Sequence, residues 1–128
     1  MSPPKPVLIN AFFDQLLTFL KELTAMYPDD ADFPLASTTV RLMKSTSPLF
    51  ILKQFYESSK GFEDQILSKN EHFFLDHSFD EFKEDDTFDF NILGKLKSYV
   101  QAMSPASKEA VWVYIQNLYK LTKAYYSS

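Results

Sequence analysis

Gly61 and Gly94 are the only glycines in this chain of 128 residues, and their scarcity constrains the fold more than any motif. A sheet-rich protein of this size needs many tight turns. Several types of tight turn favour glycine, because they require a positive φ that glycine adopts without strain. Long segments of the chain instead carry apolar residues three or four positions apart, as on one face of an α-helix. The sequence therefore predicts an all-α fold, a compact single-domain bundle of five or six helices.

The N-terminal half predicts two helices. The first runs from Asn10, a plausible N-cap, to Met26, and Pro28 stops it. The second lies within "DFPLASTTVRLMKST", with Asp32 as candidate cap and Pro34 in its first turn. The residues expected to face the core are Phe13, Leu16, Leu17, Leu20, Leu23 and Met26 in the first helix, and Leu35, Val40 and Met43 in the second. Residues 1–9 are predicted to be a flexible proline-rich arm, and residues 10–126 the helical domain.

Two Ser-Pro pairs predict the starts of further helices, with serine as N-cap and proline at the first helical position. Ser47 and Pro48 open a helix that extends to Gly61, and "FEDQILSK" either continues it or begins a new one. Ser104 and Pro105 open the last helix, which reaches about Tyr125, with Ser107 as a competing start. The expected core residues are Phe50, Leu52, Phe55 and Tyr56 in the former, and Val111, Trp112, Tyr114, Ile115, Leu118, Tyr119 and Leu121 in the latter. So wide an apolar face needs neighbours on two sides, which predicts a central helix.

A shorter helix is predicted before the last one, in "FDFNILGKLKSYVQAM". The apolar residues at helical spacing are Phe90, Leu93, Leu96 and Val100. Gly94 weakens the middle of this helix by about 1 kcal/mol relative to alanine. The segment that precedes it, residues 70–90, is the most unusual stretch of the sequence.

Residues 70–90 read "NEHFFLDHSFDEFKEDDTFDF" and hold six phenylalanines, eight carboxylates and both histidines of the chain. One interpretation is structural: Phe73, Phe74 and Leu75 close one end of the bundle, and the acidic residues face water. Another is a docking segment, in which aromatic residues anchor a basic protein partner and carboxylates steer it. The candidate binding residues are Asp80, Glu81, Phe82, Glu84, Asp85 and Asp86.

His72 and His77 are the weak candidates for a metal site in the same segment. Histidines five positions apart lie on separate sides of a helix, whereas helical zinc motifs place them four apart. The nearest match to a calcium-binding loop has Leu93 and Val100 at positions that need oxygen ligands. We therefore predict no metal and no cofactor.

Catalytic motifs are scarce elsewhere in the chain. No serine lies in a Gly-x-Ser-x-Gly elbow, and two glycines cannot form a phosphate-binding loop. Asp29 and Asp30 in "YPDDADFP" fit a turn better than acid–base work, because aspartate favours turns and helix N-termini. These features predict that the protein is not an enzyme.

The net charge of −4 is concentrated in one segment. Between Asp76 and Asp89 there are seven acidic residues and one lysine, a local charge of −6. With Arg41 as the only arginine, the chain has no basic stripe for contacting phosphates, which argues against nucleic-acid binding. The absence of cysteine, of a long apolar run and of a signal-peptide pattern predicts a soluble intracellular protein that is not secreted and spans no membrane.

Three fragments together carry a family resemblance: "FFDQLLTFLKELTAMYPDDADF", "EHFFLDHSF" and "VWVYIQNLYKLTKAY". They resemble a group of small, uncharacterised helical proteins of large DNA viruses that infect algae and other protists. The resemblance covers residues 10–125 and implies structural roles for Pro28, Asp29, Asp30, Phe73, Phe74, Tyr114 and Leu118. It further implies a product made in the cytoplasm or nucleus of an infected cell, with packaging in the virion as one option.

Two functions follow as hypotheses. In the first, the protein is a noncatalytic helical component of a virion, or an adaptor in its assembly, that acts through protein–protein contacts. In the second, it is a regulatory module whose acidic segment binds a basic host or viral protein by imitating the charge of DNA. A metal-dependent enzyme is the least favoured alternative, and the oligomeric state is left open.

Overall fold

Five α-helices account for most of the residues that the computed structural model describes, which are residues 4–70, 96 and 98–127. They are α1 (Lys5–Met26), α2 (Asp32–Thr46), α3 (Pro48–Ser59), α4 (Glu63–Leu67) and α5 (Pro105–Ser127), with a 3₁₀ turn at Lys60–Phe62. Leu96 and residues 98–100 are also helical. No strand occurs within this part of the chain, and the predicted all-α bundle is confirmed.

Helix α1 begins earlier than the sequence predicts. Its first residue is Lys5, with Pro4 as N-cap, so the predicted start at Asn10 is wrong and residues 5–9 are helical rather than part of an arm. The N–H groups of Val7 and Leu8 both donate to the Pro4 carbonyl oxygen, at 3.0 and 3.2 Å. Prolines are tolerated in a first helical turn, because the N–H groups that they lack would have no helical acceptor there.

The buried face of α1 is wider than predicted. Phe13, Leu16, Leu20 and Leu23 are buried as expected, Leu17 is partly buried, and Met26 is exposed. Leu8, Phe12 and Phe19 are buried as well. The reason is that α1 contacts α2, α3 and α5, so several sides of the helix are covered. The helix ends at Met26, directly before Tyr27 and Pro28, as predicted.

The buried face of α2 is rotated from the predicted one. Phe33, Ser37 and Val40 are buried and Met43 is partly buried, whereas Leu35 is 65% exposed, so its assignment to the core is wrong. Asp32 is the first helical residue rather than the cap, which is Ala31. Phe33 and Leu35 belong to two different rows of apolar residues along α2. The row that contains Phe33, the larger side chain, faces the core.

Helix α3 begins at Pro48 after Ser47, as predicted, although the Ser47 side chain makes no capping hydrogen bond. Ser47 also ends α2, since its N–H donates to the Met43 carbonyl oxygen at 2.7 Å. Leu52 and Phe55 are buried, and so is Ile51. After Ser59 the chain passes through the 3₁₀ turn and restarts as α4, so "FEDQILSK" begins a new helix.

Helix α5 contacts α1, α3 and α4, in agreement with the prediction that its wide apolar face needs more than one neighbour. The Ser107 N–H donates to Ser104 Oγ at 3.2 Å, so Ser104 caps the helix and Ser107 does not start it. Contacts with α1 show that the two helices are antiparallel: the Phe19 and Tyr114 rings stack 4.9 Å apart, and Lys5 Nζ lies 5.1 Å from the Tyr125 ring centroid.

Polar contacts hold α4 against α5. Gln116 Nε2 donates to the carbonyl oxygens of Ile66 and Leu67, at 3.1 and 3.2 Å, which satisfies acceptors at the end of α4. Lys123 forms an ion pair with Glu63, and this hydrogen bond lowers the pKa of Glu63 and raises the pKa of Lys123. The buried residues of the core are Phe12, Phe13, Leu16, Phe19, Leu20, Leu23, Phe33, Val40, Ile51, Leu52, Phe55, Ile66, Leu96, Val100, Met103, Val111, Trp112, Ile115, Leu118 and Tyr119.

Three further predictions concern residues that the sequence assigns to the core or to the end of the bundle. Leu96 and Val100 of the predicted short helix are helical and buried, whereas Phe90, Leu93 and Gly94 lie outside the described residues. In α5, Tyr114 and Leu121 are partly buried rather than buried. Phe73, Phe74 and Leu75 also lie outside the described part of the chain.

Lys69 holds a left-handed backbone conformation, with φ of 57°, at the end of α4. The Asn70 N–H donates to the Gln65 carbonyl oxygen at 2.8 Å, and the Lys69 N–H donates to the Ile66 carbonyl oxygen at 3.2 Å. This pair of bonds is a Schellman motif, whose left-handed position favours glycine. Lys69 also forms an exposed ion pair with Glu109.

Replacing Lys69 with glycine is expected to stabilise the protein when the change is made in a variant that already lacks the ion pair between Lys69 and Glu109. In a Glu109→Gln background, Lys69→Gly should raise the free energy of unfolding by about 0.5–1 kcal/mol, because a side chain with a Cβ is strained at this φ. The control is Lys60→Gly, where φ is −60°, and this change should lower stability by about 0.5–1 kcal/mol. Urea denaturation measures the stability of both variants. A loss of stability from Lys69→Gly would show that the lysine is not strained at this φ.

Candidate functional site

The residues predicted to bind a partner lie outside the described residues. They are Asp80, Glu81, Phe82, Glu84, Asp85 and Asp86, together with the weak metal candidates His72 and His77. Their roles therefore stay predictions. Within the described part of the chain, no group of three or more His, Cys, Asp or Glu side chains could hold a metal ion. None of the helices described above is long and apolar enough to cross a membrane.

An open cleft lies at the turn between α1 and α2, and we call it the turn cleft. It has a volume of about 420 Å³, and its lining residues are Met26, Tyr27, Pro28, Asp29, Asp30, Ala31 and Tyr99. The Tyr27 and Tyr99 rings stack with centroids 3.9 Å apart, and the Phe33 ring lies 5.8 Å from Tyr99. The turn is thereby joined to a distant part of the chain through aromatic contact.

Asp30 fixes the shape of this turn. Its Oδ1 accepts a hydrogen bond from the Asp32 N–H at 3.0 Å, at the start of α2, and its Oδ2 accepts one from the Tyr99 hydroxyl. The first bond satisfies one of the N–H groups that the beginning of a helix leaves without a helical acceptor. The prediction of a structural role for this aspartate is therefore confirmed for Asp30.

Asp29 differs from Asp30 in its surroundings. Its carboxylate is exposed at the cleft and makes no hydrogen bond or ion pair with the described residues. Among the described residues that line the cleft, the charged ones are Asp29 and Asp30, both acidic. Burial raises the pKa of the Tyr27 phenol, so this ring stays neutral at physiological pH. The described part of the cleft thus holds two carboxylates beside two tyrosine residues.

Breaking the contact between Tyr99 and Asp30 is expected to weaken the turn. Tyr99→Phe keeps the stacked ring but removes the hydroxyl donor, and it should lower the free energy of unfolding by about 1–3 kcal/mol, as for a hydrogen bond to a charged group. A double-mutant cycle with Asp30→Asn, measured by urea denaturation, isolates the interaction. Additive effects of the two changes would show that the hydroxyl and the carboxylate do not stabilise each other.

The outward side of α2 carries a second feature, which we call the α2 outer face: Leu35, Thr38, Thr39, Leu42 and Thr46. Leu35 and Leu42, seven positions apart and so on one side of the helix, are 65% and 63% exposed. Each threonine hydroxyl donates to the carbonyl oxygen four residues earlier, at 3.0–3.2 Å. Because these donors are already used, the face is less polar than its composition indicates.

A third feature is a groove of about 430 Å³ between α1 and α5. Ala11, Asp14, Gln15, Asn117, Lys120 and Leu121 line it, and Asn117 Nδ2 donates to Gln15 Oε1 at 3.4 Å across it. Asp14 contributes one carboxylate to the groove and Lys120 contributes one ammonium group, so the groove favours neither anionic nor cationic ligands. It carries no arrangement of nucleophile and base.

Several titratable groups of the described residues that lie at contacts between helices have a shifted pKa. Burial raises the pKa of Tyr114, with Glu22 adding to the effect, and burial together with Glu63 raises the pKa of Tyr119. Burial also raises the pKa of Tyr126. Phenols whose pKa is raised remain protonated at neutral pH and make poor general bases.

The participation of Tyr99 in the turn cleft was not predicted from the sequence. The only local signal was an aromatic residue in the predicted helix before α5, and nothing in its spacing identified Tyr27 or Asp30 as its partner. The exposure of Leu35 was also missed.

No model of a known protein family, no curated protein and no solved structure matches this chain.

Proposed function

We propose that the protein is a noncatalytic helical module that acts through protein–protein contacts, as a minor structural component of a virion or as an adaptor in its assembly. The observation that supports the contact function is the α2 outer face. The viral setting rests on the resemblance of "FFDQLLTFLKELTAMYPDDADF", "EHFFLDHSF" and "VWVYIQNLYKLTKAY" to proteins of large DNA viruses. Such a protein would work in the cytoplasm or nucleus of an infected cell.

Burial of the α2 outer face against a partner would stabilise a complex. Full burial of an exposed leucine side chain contributes about 1.5–3 kcal/mol, so Leu35 and Leu42 together could supply much of a moderate affinity. The threonine hydroxyls of the same face already have acceptors within α2. Covering them therefore leaves no donor without a partner, and the usual cost of burying polar groups is reduced.

The test compares two surface variants in infected cells. Leu35→Glu combined with Leu42→Glu places two charges on the α2 outer face, whereas Val113→Glu places one on an exposed position of α5 that is 43% exposed. Both variants should unfold near the wild-type temperature, because these side chains are largely outside the core. Quantitative mass spectrometry of purified particles and assembly intermediates should find the wild type and Val113→Glu, and much less of the double variant.

Equal recovery of all three proteins would contradict a role for the α2 outer face. Sedimentation of the purified wild type and double variant identifies the case in which the partner is a second copy of this chain. A wild-type dimer that the double variant fails to form would assign the face to self-association. A monomer in both cases would leave a different protein as the partner.

A second candidate function follows from the charge between Asp76 and Asp89, which is −6. In it, the acidic segment containing Glu84, Asp85 and Asp86 binds a basic host or viral protein. Changing these three residues to Gln or Asn should slow association with that protein and flatten its salt dependence, because steering acts through screened long-range charge. An unchanged association rate at low salt would exclude this function.

A further inference from the structure

We propose that the α2 outer face and the adjoining start of α3 bind an amphipathic helix of a different protein, one whose apolar stripe is flanked by carboxylates. This inference rests on the proposed contact function, because it uses the same face and names the chemistry of its partner. Three observations carry it: a row of exposed leucines, the cations beside that row, and a sequence there that contains no acidic residue.

The exposed leucines recur at the spacing of a seam between packed helices. Leu35 and Leu42 are seven positions apart in α2, and Leu49, seven positions further on, is 47% exposed at the start of α3. Apolar residues that repeat every seven positions face a neighbour when two helices pack side by side. Helix α2 has 15 residues, so it is about 22 Å long and offers room for about four turns of a partner helix.

Cations lie beside this row of leucines. Arg41 directly precedes Leu42, which places it on one flank of the row, and Lys44 lies three positions further along that side of α2. Lys53 follows Leu49 by four positions, so the two residues share one side of α3. All three cations are at least partly exposed, and none makes a hydrogen bond or ion pair with the described residues. Their charges are therefore available to carboxylates of a partner.

The sequence gives these cations no local counter-charge. Residues 33–56 contain Arg41, Lys44 and Lys53 and no aspartate or glutamate, although the net charge of the whole chain is −4. A symmetric dimer through this face would bring the same cations of two copies together, and like charges oppose association. A different protein with carboxylates along its apolar stripe meets no such cost. The charge therefore favours an acidic helix of another protein over a second copy of this chain.

A membrane surface is another kind of ligand for exposed leucines beside cations. Segments that bind anionic lipid typically carry clusters of about 4–8 basic residues, each of which contributes about 1 kcal/mol. The three cations of residues 33–56 fall short of such a cluster, and they belong to a chain whose net charge is −4. A protein helix is thus favoured over a lipid surface.

The test measures the binding of three fluorescent helical peptides to the full-length protein by anisotropy. Each peptide has about 15 residues, the length of α2. The first has leucines along one side and glutamates beside them, the second has lysines in place of the glutamates, and the third has serines in place of the leucines. The first peptide should bind with an affinity that falls as salt is raised, and the other two should bind about tenfold more weakly or less. Equal affinity of the first peptide and either of the others would overturn the proposal.

Matched variants locate the binding. Arg41→Gln combined with Lys53→Gln should weaken binding of the glutamate–leucine peptide about threefold to tenfold, as expected for the loss of two exposed ion pairs. Lys21→Gln combined with Lys120→Gln removes the same charge from exposed positions of α1 and α5, and it should leave binding unchanged. Equal weakening by both double variants would reduce the effect to net charge and overturn the proposal.

Vesicles of phosphatidylserine and phosphatidylcholine test the lipid alternative. The wild type should remain in the supernatant when these vesicles are sedimented. Sedimentation of the wild type with the vesicles, lost in the variant that combines Arg41→Gln with Lys53→Gln, would assign the surface to a membrane and overturn the proposal.

A further comparison separates this inference from the proposed function. The double variant Leu35→Glu and Leu42→Glu should lose binding of the glutamate–leucine peptide. If the three peptides bind the wild type alike while this variant is still lost from assembly, the contact function stands and the acidic partner is wrong. If the wild type prefers the glutamate–leucine peptide but the variant is recovered from particles like the wild type, the preference stands and the proposed function is wrong.

Discussion

Trp112→Ala is expected to lower the free energy of unfolding by about 3–5 kcal/mol, a large share of the stability of a typical domain. Trp112 is 4% exposed and lies in α5, the helix that contacts α1, α3 and α4. Removing the buried indole leaves a cavity that the surrounding structure closes only in part. Leu118→Ala, at a buried position six residues further along α5, should cost about 2–5 kcal/mol.

Val113→Ala provides the control for this prediction, because Val113 is the next residue along α5 and is 43% exposed. Its effect should stay within about 0.5 kcal/mol plus the small gain in helix propensity. Urea denaturation followed by circular dichroism measures all three variants. Near-wild-type stability of Trp112→Ala and Leu118→Ala would show that this side of α5 is a surface and that the helix is not central.

Phe12→Ala is the second change with a large expected effect, about 3–5 kcal/mol of unfolding free energy. Phe12 is fully buried, and its ring meets the Phe13 ring at 5.6 Å and the Phe55 ring at 5.9 Å, both edge to face. The contact with Phe55 joins α1 to α3, so the substitution removes aromatic contacts within and between helices. Phe12→Leu, which keeps most of the volume, should cost less than about 1.5 kcal/mol.

Val7→Ala is the control for Phe12→Ala. It tests whether the loss of stability depends on the burial of the side chain or only on its location in α1. Val7 is exposed on the same helix, in the segment that the sequence assigned to a flexible arm. Its replacement should change stability by about 0.5 kcal/mol or less. If Phe12→Ala and Val7→Ala have similar small effects in thermal and urea unfolding, the contact of α1 with α3 does not stabilise the fold.

Local chemistry explains what could be predicted of this fold. Both Ser-Pro starts were correct, because a helix that opens with proline at its first position depends on neighbouring residues only. The same chemistry misled at Lys5, where prolines that indicate an extended arm also suit a first helical turn. Leu35 was assigned to the core wrongly because periodicity identifies apolar rows and does not say which row a neighbouring helix covers.

The turn cleft shows where sequence-based reasoning stops. A turn at Asp29 and Asp30 could be predicted, since aspartate favours this backbone geometry. The hydrogen bond from Tyr99 to Asp30 could not, because these residues are 69 positions apart and meet only when the helices assemble. The α2 outer face was likewise hidden in the sequence, because the side of α2 that meets α1 and α3 decides which leucines remain exposed.

Photo-cross-linking from the α2 outer face tests the proposed contact function most directly. A benzophenone amino acid replaces Leu42 in one protein and Val113 in another, both are expressed in infected cells, and cross-linked products are identified by mass spectrometry. We expect one dominant product from position 42 and no such product from position 113. Excess wild-type protein should suppress the product from position 42, whereas an excess of the Leu35→Glu, Leu42→Glu variant should not. Identical products from both positions, or none from position 42 during assembly, would contradict the proposed contact function.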